Sequence, residues 1–139
     1  MSLVLLDTHA FVWLLNGNER LGHKARKAIQ HSLGEAAVLV SAISPWEIAM
    51  LVGKGRLVLD RDVGEWLVAA LALPGVRLEP LSPAIAVAST RLPGSLNSDP
   101  ADRIIAATAR HLGASLVTED RLLLAYGAAG HIKTVHAAQ

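Results

Sequence analysis

The residues of this chain that could do chemistry are acids. In SDPADR, residues 98–103, Asp99 and Asp102 stand three positions apart where a helix begins. Asp7 ends the apolar run LVLL, Asp120 follows SLVTE, and Glu47 closes SPWE. Each has an ordinary structural explanation. Asp7 and Asp120 could cap the helices that follow their strands. Asp99 suits an N-cap, with Pro100 at the first helical position. Ser44-Pro45-Trp46-Glu47 has the form of a capping box, with Ser at the cap and Glu three residues on. Asp102 is harder to dismiss. At about 100° per residue, Ile105, Ala106, Ala109 and Gly113 lie on its side of the helix, and Arg103, Arg110 and His111 lie on another. Asp102 therefore heads the apolar stripe, and a buried carboxylate needs a donor, a cation or a proton.

Taken together, Asp7, Glu47, Asp102 and Asp120 each fall at a strand end or in the first turn of a helix. In an open parallel sheet these positions share one edge, at the carboxyl ends of the strands. Carboxylates gathered there raise one another's pKa, and a hard divalent cation relieves the repulsion. Mg2+ and Mn2+ take oxygen ligands. Such a centre suits phosphodiester hydrolysis, because a metal acidifies an attacking water and offsets charge on the phosphate. The six histidines form no i, i+4 pair around a Glu, and no GxxxxGK[ST] or GxGxxG occurs. His9 is expected as an ordinary helix residue. Ser41, Ser44 and Thr118 have no base that the sequence sets beside them, but Thr118 could donate a hydrogen bond to a carboxylate.

The elements that must position these acids are legible from punctuation and period. Apolar runs at 3–6, 37–41, 76–81 and 115–118 read as strands, and 132–135 as a fifth, edge strand. Helices are expected over 8–15, 23–33 (stopped by Gly34), from Ser44 to about Gly53, and over 62–73, 83–92 and 100–112, with a short one ending at Tyr126. Strands alternating with helices predict an α/β architecture with a mostly parallel central sheet of four to five strands flanked by helices. One domain, residues 1–139, is expected.

Composition narrows the class. The chain has 139 residues, no Cys, a formal net charge of +1, 52% apolar residues and 18% charged ones. Disulfides and Cys-based zinc sites are excluded. The small net charge gives no general pull towards nucleic acid or membrane. The oily composition favours a self-interface, with helices 45–52 and 63–73 as candidate surfaces. No uncharged run is long enough to span a bilayer. The N-terminus lacks a basic leader, so a cytoplasmic location is expected.

Four segments in order, LLDTHAFVWLL, SAISPWEIAMLVGKGRL, DPADRIIAATARHLG and LVTEDRLL, resemble the PIN domain family, especially the VapC-type toxins of type II toxin–antitoxin pairs. The resemblance runs from Leu3 to about Val135. It implies a PIN-like three-layer fold and a metal-dependent endoribonuclease that inhibits growth until an antitoxin neutralises it. It implies that Asp7, Glu47, Asp102 and Asp120 bind Mg2+ or Mn2+, with Asp120 the least secure. Asp99 belongs to the D-P-x-D-R variant of the third motif, where it assists or merely caps. Thr8 and Thr118 match small hydroxyl positions. Glu119 is expected to point away by strand alternation. Arg103 is expected to face an RNA backbone or to lie on a solvated helix face. A cognate antitoxin, an RNA substrate and a homodimer are the implied partners. Two rivals remain: a PIN fold kept only for binding RNA or protein, and a receiver-like domain. The latter would carry paired acids after its first strand and a late Lys; here Asp7 stands alone.

Overall fold

A computed structural model describes residues 3–139 of the chain. Five strands, β1 (Val4–Leu6), β2 (Val38–Ser41), β3 (Val76–Glu79), β4 (Ser115–Thr118) and β5 (Lys133–His136), form one sheet in the order β3-β2-β1-β4-β5. Every pairing is parallel. Seven helices cover it: α1 (Thr8–Leu15), α2 (His23–Glu35), α3 (Ile43–Gly53), α4 (Val63–Leu71), α5 (Pro83–Ser89), α6 (Pro100–Leu112) and α7 (Arg121–Ala128).

The central strands are short apolar runs because both of their faces are covered. Val4 and Leu6 of β1 point into a core with Phe11, Val12, Ile29, Ile48 and Trp66, contributed by α1 to α4. Leu5 points the opposite way, into a core with Ile105, Ala106 and Ala109 of α6 and Leu123 and Tyr126 of α7. Alternation along three residues thus generates three layers. Phe11 and Trp66 meet edge to face at 5.6 Å between ring centroids.

The strand order reverses around β1. The chain steps from β1 outward through β2 to β3, then returns to the other side for β4 and β5. The carboxyl ends of β1 and β4 therefore flank a topological switch point, where α/β sheets open a crevice. Leu6 pairs with Val40 on one side and Val117 on the other. The next residues, Asp7, Ser41 and Thr118, are consequently brought into line at the sheet edge.

Some boundaries differ from expectation. Helix α2 runs through Gly34 to Glu35, although its last buried residue is Ser32; a single glycine lowers helix propensity by only about 1 kcal/mol and does not by itself end a helix. Helix α5 ends at Ser89. Helix α6 ends at Leu112 as expected, and Gly113 after it takes the left-handed conformation (φ 63°) that closes a helix.

Candidate active site

The switch point is an acidic cavity. Asp7, Glu47, Asp99, Asp102, Glu119 and Asp120 line a space of about 320 Å3, joined by His9 and Arg121. Its carboxylates come from four separated stretches of the chain, and the fold alone brings them together.

Asp7 follows β1 directly and is 8% exposed. Its backbone N–H donates to the carbonyl of Val117, stitching it to β4. The carboxylate accepts from the Thr8 N–H at 2.8 Å and from the Thr118 hydroxyl at 2.6 Å. Burial pushes its pKa up, against those two hydrogen bonds; Glu47 pushes it further up and His9 pulls it down. The N-cap role and a place in the cavity coexist here: the Thr8 N–H holds one oxygen of Asp7 and the Thr118 hydroxyl holds the other.

Glu47 corrects the sequence expectation. Helix α3 begins at Ile43 with Ala42 at the cap, so Ser44 lies inside the helix and caps nothing. Pro45 is tolerated because first-turn N–H groups have no intrahelical partner. The Ser44 hydroxyl is fully buried and 3.0 Å from that of Thr8. The Thr8 hydroxyl donates to Glu47 at 2.5 Å. The capping box is therefore absent, and Glu47, one turn into α3, is directed into the cavity by a residue of α1.

Asp99 is an N-cap: its carboxylate accepts from the Asp102 N–H at 3.4 Å, with Pro100 at the first helical position. Asp102 is half-buried at the head of the apolar stripe formed by Ile105, Ala106 and Ala109. Its carboxylate accepts from the Asn97 amide at 3.1 Å. Burial raises its pKa to about 7, helped by Asp120, Asp99 and Asp7 and opposed by Asn97. Asp120 caps α7, accepting from the N–H groups of Leu122 and Leu123 at 2.9 and 3.0 Å. Its own N–H donates to the Thr118 hydroxyl at 3.0 Å. Thr118, 0% exposed, thus ties Asp7 of the first motif to Asp120 of the last.

Two expectations fail. Glu119 lines the cavity, since β4 ends at Thr118 and alternation no longer applies. Arg103 is part-buried and does not line the cavity. Its guanidinium donates to the carbonyls of Ser89, Leu96 and Asn97, pinning the segment that carries Asn97 beside Asp102. His9, expected as an ordinary helix residue, also lines the cavity, and nothing in the sequence by itself singles out Asn97 or Arg121. His9 and Arg121 adjoin acids already singled out, in DTH and EDR. Asn97 gave no comparable signal.

Among the described residues, no three His, Asp or Glu side chains already stand as a closed set of metal ligands. Asp7, Glu47, Asp102 and Asp120 are each turned onto neutral donors: Thr118 and Thr8, Thr8, Asn97 and the first turn of α7, respectively. The donor chemistry nonetheless fits a hard cation. The cavity offers carboxylate oxygens from several directions and no sulfur, and its anions gain little from protein cations. A divalent ion would compete with single hydrogen bonds at hydroxyl and amide groups, not with ion pairs.

Known proteins resemble this chain over most of its length. The profile of the PIN domain family matches residues 4–128. The chain is 39% identical to Ribonuclease VapC22 of Mycobacterium tuberculosis (strain ATCC 25618 / H37Rv) over 123 residues, covering 88% of this chain and 91% of that protein. Two solved structures share the fold. One is VapBC2 from Rickettsia felis bound to a promoter DNA fragment, with TM-score 0.68, 15% identity, and 96% of this chain and 97% of that chain covered. The other is FitAcB from Neisseria gonorrhoeae, with TM-score 0.65, 24% identity and coverage of 97% and 98%. From its sequence motifs, its three-layer parallel sheet and the match over nearly its whole length, the chain belongs to the PIN domain family.

Proposed function

We propose that this protein is a divalent-metal-dependent endoribonuclease, the toxin of a type II toxin–antitoxin pair, acting in the cytoplasm as a single domain, residues 1–139. The observation that carries the proposal is the gathering of Asp7, Glu47, Asp102 and Asp120 at the switch between β1 and β4. A relative at 39% identity is named a ribonuclease, and toxin–antitoxin complexes share the fold, including one from Klebsiella pneumoniae with TM-score 0.64. A cognate VapB-like antitoxin and a homodimer belong to the same proposal. Trp46 of α3 and Val68 of α4, 57% and 74% exposed, offer apolar surface for such contacts. No helix among the described residues is long and apolar enough to cross a membrane.

Asp7, Glu47 and Asp102 would hold Mg2+ or Mn2+, with Asp120 acting directly or through water. Such an ion supplies an acidified water and positive charge for the phosphate. The chain's own residues prepare the ground. Thr118 and the Thr8 N–H fix Asp7, the Thr8 hydroxyl fixes Glu47, and Asn97 fixes Asp102. Locking each carboxylate by a second group is what keeps a site within the tolerance that chemistry requires.

The test is inducible expression of the wild type and Asp7→Asn, with sequencing of new RNA ends. Ends and growth arrest from the wild type alone support the proposal. Equal harmlessness with no new ends, after any co-purified inhibitor is removed, refutes it. The binding-only alternative expects no metal-dependent cleavage in vitro.

A further inference from the structure

Arg121 is out of keeping with its surroundings. It occupies the first position of α7, is exposed, and lines the cavity with six carboxylates. Yet it pairs with none of them. Among the described residues the ion pairs are His31–Glu35 and Arg61–Asp60, and the Arg121 guanidinium makes no hydrogen bond. The reason lies in its neighbours. Asp120 is turned back onto the N–H groups of Leu122 and Leu123, Asp102 is engaged by Asn97, Asp99 caps α6, and Asp7 is held by Thr118. Among the described residues Arg121 is the one permanent cation lining a strongly negative cavity, and its guanidinium makes no hydrogen bond there.

That arrangement suits an incoming anion. RNA approaching six carboxylates is repelled before its phosphate reaches any ion they hold, so a fixed cation at the rim lowers the cost of approach. A guanidinium presents a planar fork that matches two phosphate oxygens. Its place on α7, beyond Asp120, sets it beside the centre formed by Asp7, Glu47 and Asp102 rather than within it.

We propose that Arg121 grips a non-scissile phosphate of the single-stranded RNA, adjacent to the one cleaved. This rests on the ribonuclease function proposed above and names how that site takes its substrate. Arg121 is a binding residue, so its contribution appears in affinity and in the salt dependence of binding.

The test measures fluorescence anisotropy of a labelled single-stranded RNA on the full chain, with Asp7→Asn present in every protein to prevent cutting. Arg121→Gln is expected to weaken binding about tenfold, the low end for a charged hydrogen-bonded contact. It should also reduce the slope of log affinity against log salt by about 0.7, the value for one single-strand phosphate. Arg121→Lys should restore the slope. A neutral methylphosphonate one linkage from the cut should weaken binding by the Asp7→Asn protein but cost nothing further once Arg121→Gln is present, a closed double-mutant cycle. Unchanged affinity and slope in Arg121→Gln, while the wild type still cleaves RNA with Mn2+, would overturn the assignment and leave the ribonuclease standing. Arg121→Lys behaving like Arg121→Gln, or methylphosphonate and Arg121→Gln effects that simply add, would overturn it too. A wild type that neither binds nor cleaves RNA removes both.

Discussion

Replacing Asp102 with Asn should make the metal-free protein more stable at alkaline pH, although it deletes a residue of the proposed active site. The native carboxyl holds its proton up to about pH 7 because of burial first and Asp120, Asp99 and Asp7 second. The unfolded chain releases it near 3.8. Between those values the native state binds more protons than the unfolded state, so this group's contribution to stability is complete below pH 3.8 and is lost as pH rises through 7. The full difference would correspond to about 4 kcal/mol. The carboxylate is only half-buried, and solvent screening reduces this to about 1–2 kcal/mol. Asn keeps the shape and can still accept from Asn97. Urea unfolding in EDTA, with wild type and Asp102→Asn compared at intervals from pH 4 to 8, reads the effect of this carboxyl and of the acids coupled to it, since titrating groups away from the cavity cancel. The variant should gain about 1–2 kcal/mol on the wild type across that window. Saturating Mn2+ at pH 8 should reverse the order, because an ion present at a hundred times its Kd stabilises by about 2.7 kcal/mol and the variant lacks one ligand. Parallel curves from pH 4 to 8 would refute the claim that Asp102 is held against its preference for water.

Thr118→Val preserves shape but removes a donor to Asp7 and an acceptor for the Asp120 N–H; it should cost about 1–3 kcal/mol in urea unfolding and weaken Mn2+ binding by about tenfold or more in calorimetry. Asp99→Ala loses a long capping bond and should cost about 1 kcal/mol or less, with Mn2+ affinity nearly unchanged; a large loss of affinity would make Asp99 a ligand. Arg103→Met releases three carbonyl groups and should destabilise by about 1–3 kcal/mol, while the salt dependence of RNA binding, measured by anisotropy, stays as in the wild type.

The architecture was readable because its punctuation is local. Asp62, Ser82, Asp99 and Asp120 each cap the helix they precede, and Gly113 ends α6. The alternation of short apolar runs with helices gave a parallel sheet, and the switch point placed Asp7 and Asp120 at one edge. What escaped the sequence was decided by partners far along the chain. Ser44 looked like a cap, but its hydroxyl is held by Thr8, 36 residues away. Arg103 is long enough to reach carbonyls up to 14 residues back, so its helix face did not determine its role. Glu119 was assigned a direction by a strand that had already ended. Capping and cavity lining do not exclude each other at Asp7 and Asp120: each residue caps its helix and also lines the cavity.

The central claim is that side chains from separate segments share one ion. Crystals grown with Mn2+ and measured for anomalous scattering address it directly. A peak is expected within roughly 2.1 Å of carboxylate oxygens of Asp7, Glu47 and Asp102, the distance hard octahedral ions take, and it should vanish in Asp7→Asn. A fully occupied peak elsewhere on the molecule, with these three carboxylates still turned onto Thr118, Thr8 and Asn97, would contradict it.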